Sequence, residues 1–442
     1  MAVPEHRYSR PLHARGFAYL SLLLALLASG CSRGPQSGGN KQDQGISPSA
    51  ESTSSPRAET ASLGNVDTTL HPQGAPLPRL FPPDVTLTIE VAPPDAWPLF
   101  RGNASATGVS SSTLPENPRL LWKRNFEYGM FESTPAIVEG VVYIGSYDGN
   151  FYALRLEDGK EIWHFPTELG FNAPAAVYQG RVYVGDTEGR FFCLDAKTGE
   201  PLCAHETQAE INAAANIYED SVIFGSQDAS LYRLRLETLE LVWKFTIDDM
   251  IQCAPTVIGN KGFIAGCDGR LHIVNLDTGE GINAVDILAQ SGATPAASGD
   301  YVFCGTYGES FFGINWRDAK IVWEYRHPRR GYPFQSSAAL TPEMVVVGGR
   351  DKMIHGLDPR TGKEMWTVMT GGRIDGSPVI VGDRAFVGSA DGRLYAVDVA
   401  TGEEMWHYEA GGGFIGSAAV ASRRLVIGND DGDLLCFGEE DQ

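Results

Sequence analysis

Cysteine, histidine and carboxylate side chains supply much of protein chemistry, and in this chain their spacing does not gather them into a centre. The seven cysteines are Cys31, Cys193, Cys203, Cys253, Cys267, Cys304 and Cys436. No two are adjacent, and no Cys-x-x-Cys-His run offers a haem attachment. Of the nine histidines, His6 and His13 lie near the amino terminus, while His164, His205, His327 and His407 fall at unrelated offsets. No His-x-His or His-Glu-x-x-His spacing would present two ligands to one metal ion. Asp148, Asp228, Asp268, Asp391 and Asp431 recur in short polar turns, where a carboxylate can bond nearby backbone. That recurrence marks them as structural, since a single catalytic centre needs a few asymmetric residues. Cys193 and Cys203 fall on consecutive strands of one hairpin and could pair in an oxidising compartment; buried free thiols are the alternative. One segment stands out by its asymmetry, His327-Pro328-Arg329-Arg330-Gly331-Tyr332-Pro333-Phe334. Arg329, Arg330, Tyr332 and Phe334 are the residue types enriched in interface hot spots, which makes them a candidate partner-binding loop. The plainer reading is that Pro328 and Pro333 stiffen a longer connection.

The elements that position these residues are read from glycine. It supplies 51 of the 442 residues, well above the usual share of about 7%. Gly145-Ser146-Tyr147-Asp148-Gly149 recurs from Gly185, Gly225, Ala265, Gly305, Gly348, Gly388 and Gly428; six of the seven intervals are 40 residues and one is 43. A period of this length means a propeller or a solenoid. Within a unit, short apolar runs such as 136–138, 141–144, 151–154 and 161–163 are separated by Glu139-Gly140, Asp148-Gly149 and Asp158-Gly159. Glycine at positive φ closes such hairpins, so the excess is read as turn glycine. No stretch of this region carries a helical period. Four antiparallel strands in 40 residues make one propeller blade. The last unit stops at Phe437, before its fourth strand, while Leu120-Leu121-Trp122-Lys123 precedes the first. Letting that early strand complete the last blade removes an open sheet edge and predicts an all-β ring of eight four-stranded blades.

A tryptophan follows the third turn of most units: Trp163, Trp243, Trp323, Trp366 and Trp406, with Trp122 on the early strand and Cys203 and Asn283 as replacements. Together with runs such as Asp358-Pro359-Arg360-Thr361-Gly362, this resembles the pyrroloquinoline quinone (PQQ)-type propeller repeat. The resemblance covers roughly residues 97–438 and implies that each tryptophan docks between neighbouring blades. The Gly-His and Trp-Asp pairs of WD repeats are missing. Trp97-Pro98-Leu99-Phe100-Arg101-Gly102-Asn103 resembles a lead-in that packs on such rings.

The amino terminus is an export address. Arg7, Arg10 and Arg15 precede an apolar run from Phe17 to Ala28, too short to span a bilayer, and Ala28-Ser29-Gly30-Cys31 resembles a bacterial lipobox. Residues 1–30 are therefore read as a lipoprotein signal with Cys31 as the lipidated residue. Ser32 after it resembles an outer-membrane sorting signal. Residues 31–94, rich in Ser, Gly and Pro, are read as a disordered tether, 95–438 as the propeller and 439–442 as an acidic tail. The formal charge is −20; removing the three arginines and Glu5 of the signal, a net +2, takes it to −22. Such acidity excludes non-specific nucleic-acid binding, which needs a basic face.

Two uses are known for the resembling rings. Quinoprotein dehydrogenases hold PQQ and calcium over the funnel and characteristically carry a vicinal disulfide; adjacent cysteines are missing here. Outer-membrane assembly lipoproteins use the ring to bind proteins. The sequence is read as the second kind: a non-catalytic, lipid-anchored envelope scaffold without cofactor or metal, whose partner could be an outer-membrane β-barrel component. The alternative is an enzyme or small-ligand sensor using the funnel. Glu132, Asn172, Asn212, Gln252, Gln335 and Asp375 each precede an inner strand and could ring the channel mouth.

Overall fold

A computed structural model describes residues 86–439. The signal, Cys31, most of the tether and the last three residues lie outside that range. Among the described residues there is no helix, and the strands form eight sheets. Blade 1 consists of Ala136–Val138, Val141–Gly145, Asn150–Arg155 and Glu161–Pro166, ordered from the channel outward. Its two middle strands are buried along nearly their whole length, while the outermost alternates, as expected of sheets stacked face to face around an axis. Blade 8 joins Ala419–Ala421, Arg424–Gly428 and Asp433–Gly438 to Arg119–Asn125, so the early strand closes the ring.

The tryptophans dock as the repeat implies. The indole N–H groups of Trp122, Trp163, Trp243, Trp323 and Trp366 donate to carbonyls in the outer turn of the next blade, at 2.8–3.1 Å. Each ring lies against that turn's glycine: a Cβ on Gly199 would stand 2.5 Å from Trp163, and one on Gly362 2.5 Å from Trp323. These glycines also hold positive φ, 74° at Gly199, so the residue type is required twice over. Where the tryptophan is replaced, the glycine is replaced with it. Cys203 faces Leu239, which is buried and holds φ of 55°, and the turn opposite Asn283 carries Ala319. Trp406, at the ring closure, packs edge-on against Phe386 and Phe437 instead.

The marker glycines have a different reason from the one their sequence setting implied. Gly145, Gly305 and Gly388 end inner-region strands and hold no positive φ; they are bare because Phe171, Phe334 and Phe414 of the following blade sit on them. A Cβ at Gly145 or Gly305 would come within 2.5 Å of the incoming side chain. The exception again changes both partners: Ala265 stands in for glycine where Ser291 stands in for the large residue. Phe334 thus belongs to the repeat, not to the inserted loop. The cysteines at 193 and 203 face each other across one hairpin, and all six described cysteines are free thiols.

The fold also begins earlier than composition indicated. Residues 87–92, assigned to the tether, pack on the ring: Leu87 and Ala92 are buried, and Ala92 bridges Ser110. From there the chain crosses the channel. Trp97 exchanges two backbone hydrogen bonds with Ile137, at 2.7 and 3.0 Å. The carbonyls of Pro98, Ala104, Ser105, Thr107 and Gly108 accept from inner-strand N–H groups of blades 2, 4, 5, 6 and 7. In blade 3 the side-chain amide of Asn216 donates to the Ala104 carbonyl, and in blade 8 the N–H of Ser422, just past the inner strand, donates to Pro94. Val109–Ser110 then adds a parallel fifth strand inside Val379–Val381. One segment thus bonds to all eight blades and, in six of them, pairs inner-strand backbone that would otherwise be open.

Candidate functional site

The connections from each outer strand to the next inner strand all open on one face, and the crossing segment lies below them. Together they make a cup at the channel mouth. Its cavity is about 180 Å³, floored by Phe100 and walled by residues that precede the inner strands. All six rim residues expected from sequence line it: Glu132, Asn172, Asn212, Gln252, Gln335 and Asp375. The corresponding positions of the other two blades are Gly292 and Ile415.

Two residues deeper, a hydroxyl belt ties blade to blade. The backbone N–H groups of Ala254, Thr294, Ser337, Ser377 and Ser417 donate to the hydroxyls of Thr294, Ser337, Ser377, Ser417 and Thr134 respectively, at 2.8–3.3 Å. Pro174, Ala214 and Ala254 interrupt it. The signal was present in the sequence, a Ser or Thr two residues after five of the eight rim positions.

Charge at the cup is unevenly neutralised. Arg350 and Arg373 each donate to Asp375 at 2.7 Å. Glu132 accepts from the Tyr147 hydroxyl at 3.2 Å and forms no ion pair among the described residues. Burial, with Asp375 and Asp430 nearby, pushes its carboxyl above the ordinary range, against the lowering effects of Tyr147 and Arg373. Asn212 donates to Glu210, which leaves its buried Oδ1 without a donor, and Gln335 Oε1 is likewise unpartnered. A buried acceptor without a donor costs about 1–3 kcal/mol.

The inserted loop is partly as expected. Arg329 and Tyr332 are exposed, while Arg330 is tied to the Asp351 carbonyl at 3.0 Å. Phe334 is buried against Phe311 and Tyr325 and is removed from the partner-binding set, because it fills the space over Gly305. The same face exposes three large side chains that sequence reasoning missed. Tyr128 is 86% exposed, Leu288 65% and Leu169 59%, alongside Tyr332 at 51%. Tyr128 and Leu288 both hold φ of 67°. Gly411 holds the same place in its blade at φ of 101°, so the left-handed conformation belongs to the turn, and tyrosine or leucine there carries strain that glycine would not.

A PQQ–calcium pair fits this cup poorly. Small-molecule sites commonly occupy about 300–1,000 Å³, against about 180 Å³ here. A polycarboxylate quinone needs uncommitted cations, but both nearby guanidinium groups are engaged by Asp375. Among the described residues, no group of three or more His, Cys, Asp or Glu is placed to hold a metal ion.

Fold and closure define an eight-bladed β-propeller of the PQQ-repeat class. The chain belongs to the family described as outer membrane protein assembly factor BamB, whose model matches residues 152–293 and 255–442. Among curated protein sequences none matches it. Among solved structures it is similar to BamB from Moraxella catarrhalis, at 18% identity and a TM-score of 0.63, covering 73% of this chain and 100% of that one. It is also similar to the quinohemoprotein alcohol dehydrogenase of Comamonas testosteroni, at 15% identity and a TM-score of 0.68, covering 79% and 81%. A computationally designed protein matches at 16% and 0.65, covering 73% and 100%. An assembly factor, an enzyme and a design share this ring, so its geometry alone carries no activity.

Proposed function

We propose that this chain is a non-catalytic, protein-binding scaffold of the bacterial cell envelope, working in outer-membrane protein assembly as its family's description states. Anchoring through a lipidated Cys31, on the outer membrane and facing the periplasm, is part of the proposal. The observation that carries it is the mouth face, where Tyr128, Leu169, Leu288 and Tyr332 stand exposed on connections held by a rigid ring. Exposed apolar side chains on these connections favour association with a protein. The poor fit of the cup to PQQ weighs against a quinoprotein enzyme. Affinity purification of the tagged chain from detergent-solubilised membranes tests the proposal. Recovery of an outer-membrane β-barrel assembly component is expected; repeated absence of any barrel component would overturn it.

A further inference from the structure

We propose that one sector of the mouth face, around the inserted loop that leads into blade 6, binds an acidic segment of the partner protein; this rests on the scaffold reading above. The turn between the second and third strands of a blade lies beside the connection that precedes it. The Cys267 N–H donates to the Met250 carbonyl at 3.0 Å, and the Arg350 N–H to that of Pro333 at 3.0 Å. Around most of the mouth these turns carry carboxylates, among them Asp148, Asp228, Asp268, Asp391 and Asp431. Their cations are neutralised within the face, Arg190 by Asp186, Arg270 by Asp248 and Arg393 by Glu409. The blade 6 sector reverses the sign. Arg326 is held by Glu324, and Arg350 and Arg373 by Asp375, but Arg329, Arg330 and Lys352 form no ion pair among the described residues. The turn's own carboxylate, Asp351, is buried against His355 at 3.2 Å.

Backbone contacts bring the three cations together. Arg330 donates to the Asp351 carbonyl at 3.0 Å, and Lys352, the next residue, donates from Nζ to the Gly371 carbonyl at 3.2 Å. Loop, turn and the following connection therefore meet at one place. Lys352 is exposed and holds φ of 70°, where Gly149, Gly189, Gly269, Gly392 and Gly432 serve other blades. A lysine kept in a conformation that suits glycine places a charge there at a cost to the turn. Glu309 brings one carboxylate against Gly331 but pairs with none of the three cations. Tyr332, 51% exposed, and Met369, 58% exposed and paired in register with Met353, add apolar surface beside the charge. Such a sector fits an extended segment that carries several carboxylates and an aromatic residue. A flat anionic membrane would also meet the acidic turns of the other blades, and like charges in opposition are unfavourable.

The test is fluorescence anisotropy of the full chain in non-ionic detergent with two labelled, end-blocked probes, Gly-Asp-Asp-Phe-Asp-Asp-Gly and its asparagine counterpart. The aspartate probe is expected to bind at least about tenfold more tightly, and to lose that advantage as salt rises. The triple variant Arg329→Glu, Arg330→Glu and Lys352→Glu should weaken it by at least about tenfold with an unchanged circular dichroism spectrum. Arg393→Glu, on a blade whose arginine is already paired, should change binding by less than about twofold, and Glu309→Gln should tighten it by about twofold. Equal binding of the two probes, binding of neither, indifference to the triple variant, or an equal loss in Arg393→Glu would overturn the inference. So would probes bound alike while the triple variant loses only phosphatidylglycerol from mixed micelles, which would assign the sector to lipid. Recovery of a barrel component by wild type and triple variant alike would remove the acidic-segment role, yet leave the scaffold reading standing. An aspartate preference without barrel recovery would support the sector and remove the scaffold.

Discussion

The seams between blades and the mouth of the channel are built on opposite rules. Along the outer seam, Trp122, Trp163, Trp243, Trp323 and Trp366 each meet a glycine of the next blade, and along the inner seam an aromatic or isoleucine repeatedly meets another. At the mouth, the eight corresponding positions read Glu, Asn, Asn, Gln, Gly, Gln, Asp and Ile. Where positions repeat, the ring is being held together; where they differ, one side of the molecule is made distinguishable from the other. The paired exceptions strengthen this contrast, because Cys203 with Leu239 and Asn283 with Ala319 at the outer seam, and Ala265 with Ser291 at the inner one, change together. At these exceptions both partners change together, whereas the mouth residues vary from blade to blade and take their partners from different places, Asp375 from Arg350 and Arg373 and Glu132 from Tyr147.

The largest effect is expected at a seam. Trp163→Ala removes a buried indole and its bond to Ala196, and should cost about 3–5 kcal/mol in urea unfolding. A loss below about 1 kcal/mol would mean that the seam does not hold the ring. Next is the pairing rule itself. Cys203→Trp alone should overpack against Leu239 and cost about 1–3 kcal/mol. Adding Leu239→Gly should recover much of that loss in a double-mutant cycle. Simple additivity of the two changes would break the rule.

Acid and alkali should separate the regions. Burial pushes the thiols of Cys253, Cys304 and Cys436 from 9.0 up to about 12. Unfolded thiols therefore release protons above about pH 9 while folded ones hold theirs, so stability falls as pH rises through that window. Cys436→Ala should flatten this part of the pH–stability curve. At the mouth the linkage to stability has the same sign, since Glu132 is also raised, but the readout is binding. Glu132, raised by burial, gains its proton as pH falls while ordinary carboxylates are still charged, so partner recovery that depends on its charge should weaken first, with the ring intact. Unfolding that coincides with the loss of binding would contradict this separation.

The smallest effect sharpens the contrast most. Leu288→Gly relieves a left-handed leucine and should raise stability by about 1 kcal/mol, while lowering recovery of the partner. Improved stability with undiminished recovery would show that the strain serves no docking role.

Much of the framework could be read in the sequence because its causes are periodic. A glycine needed once per blade recurs every 40 residues, and the missing fourth strand pointed directly to Leu120–Lys123 as the closing strand. The marker glycines were nevertheless read as turns, since a sequence shows the bare residue but not the phenylalanine of the next blade that requires it. The same blindness placed Phe334 in the inserted loop. The channel-crossing segment was legible only as a lead-in, because its carbonyls bond to a different blade every few residues and backbone bonding leaves no period. The six rim residues could be located from their place before each inner strand. Their chemistry could not, because the Phe100 floor and the unpartnered Asn212 oxygen depend on how the chain returns across the channel.

The central claim is that the varied mouth face, not the repeated seams, binds the partner. It is tested most directly by purifying the tagged chain from solubilised membranes as wild type and as the folded quadruple variant Tyr128→Ser, Leu169→Ser, Leu288→Ser and Tyr332→Ser. A barrel assembly component should accompany the wild type and be lost from the variant. Equal recovery with both would contradict the account.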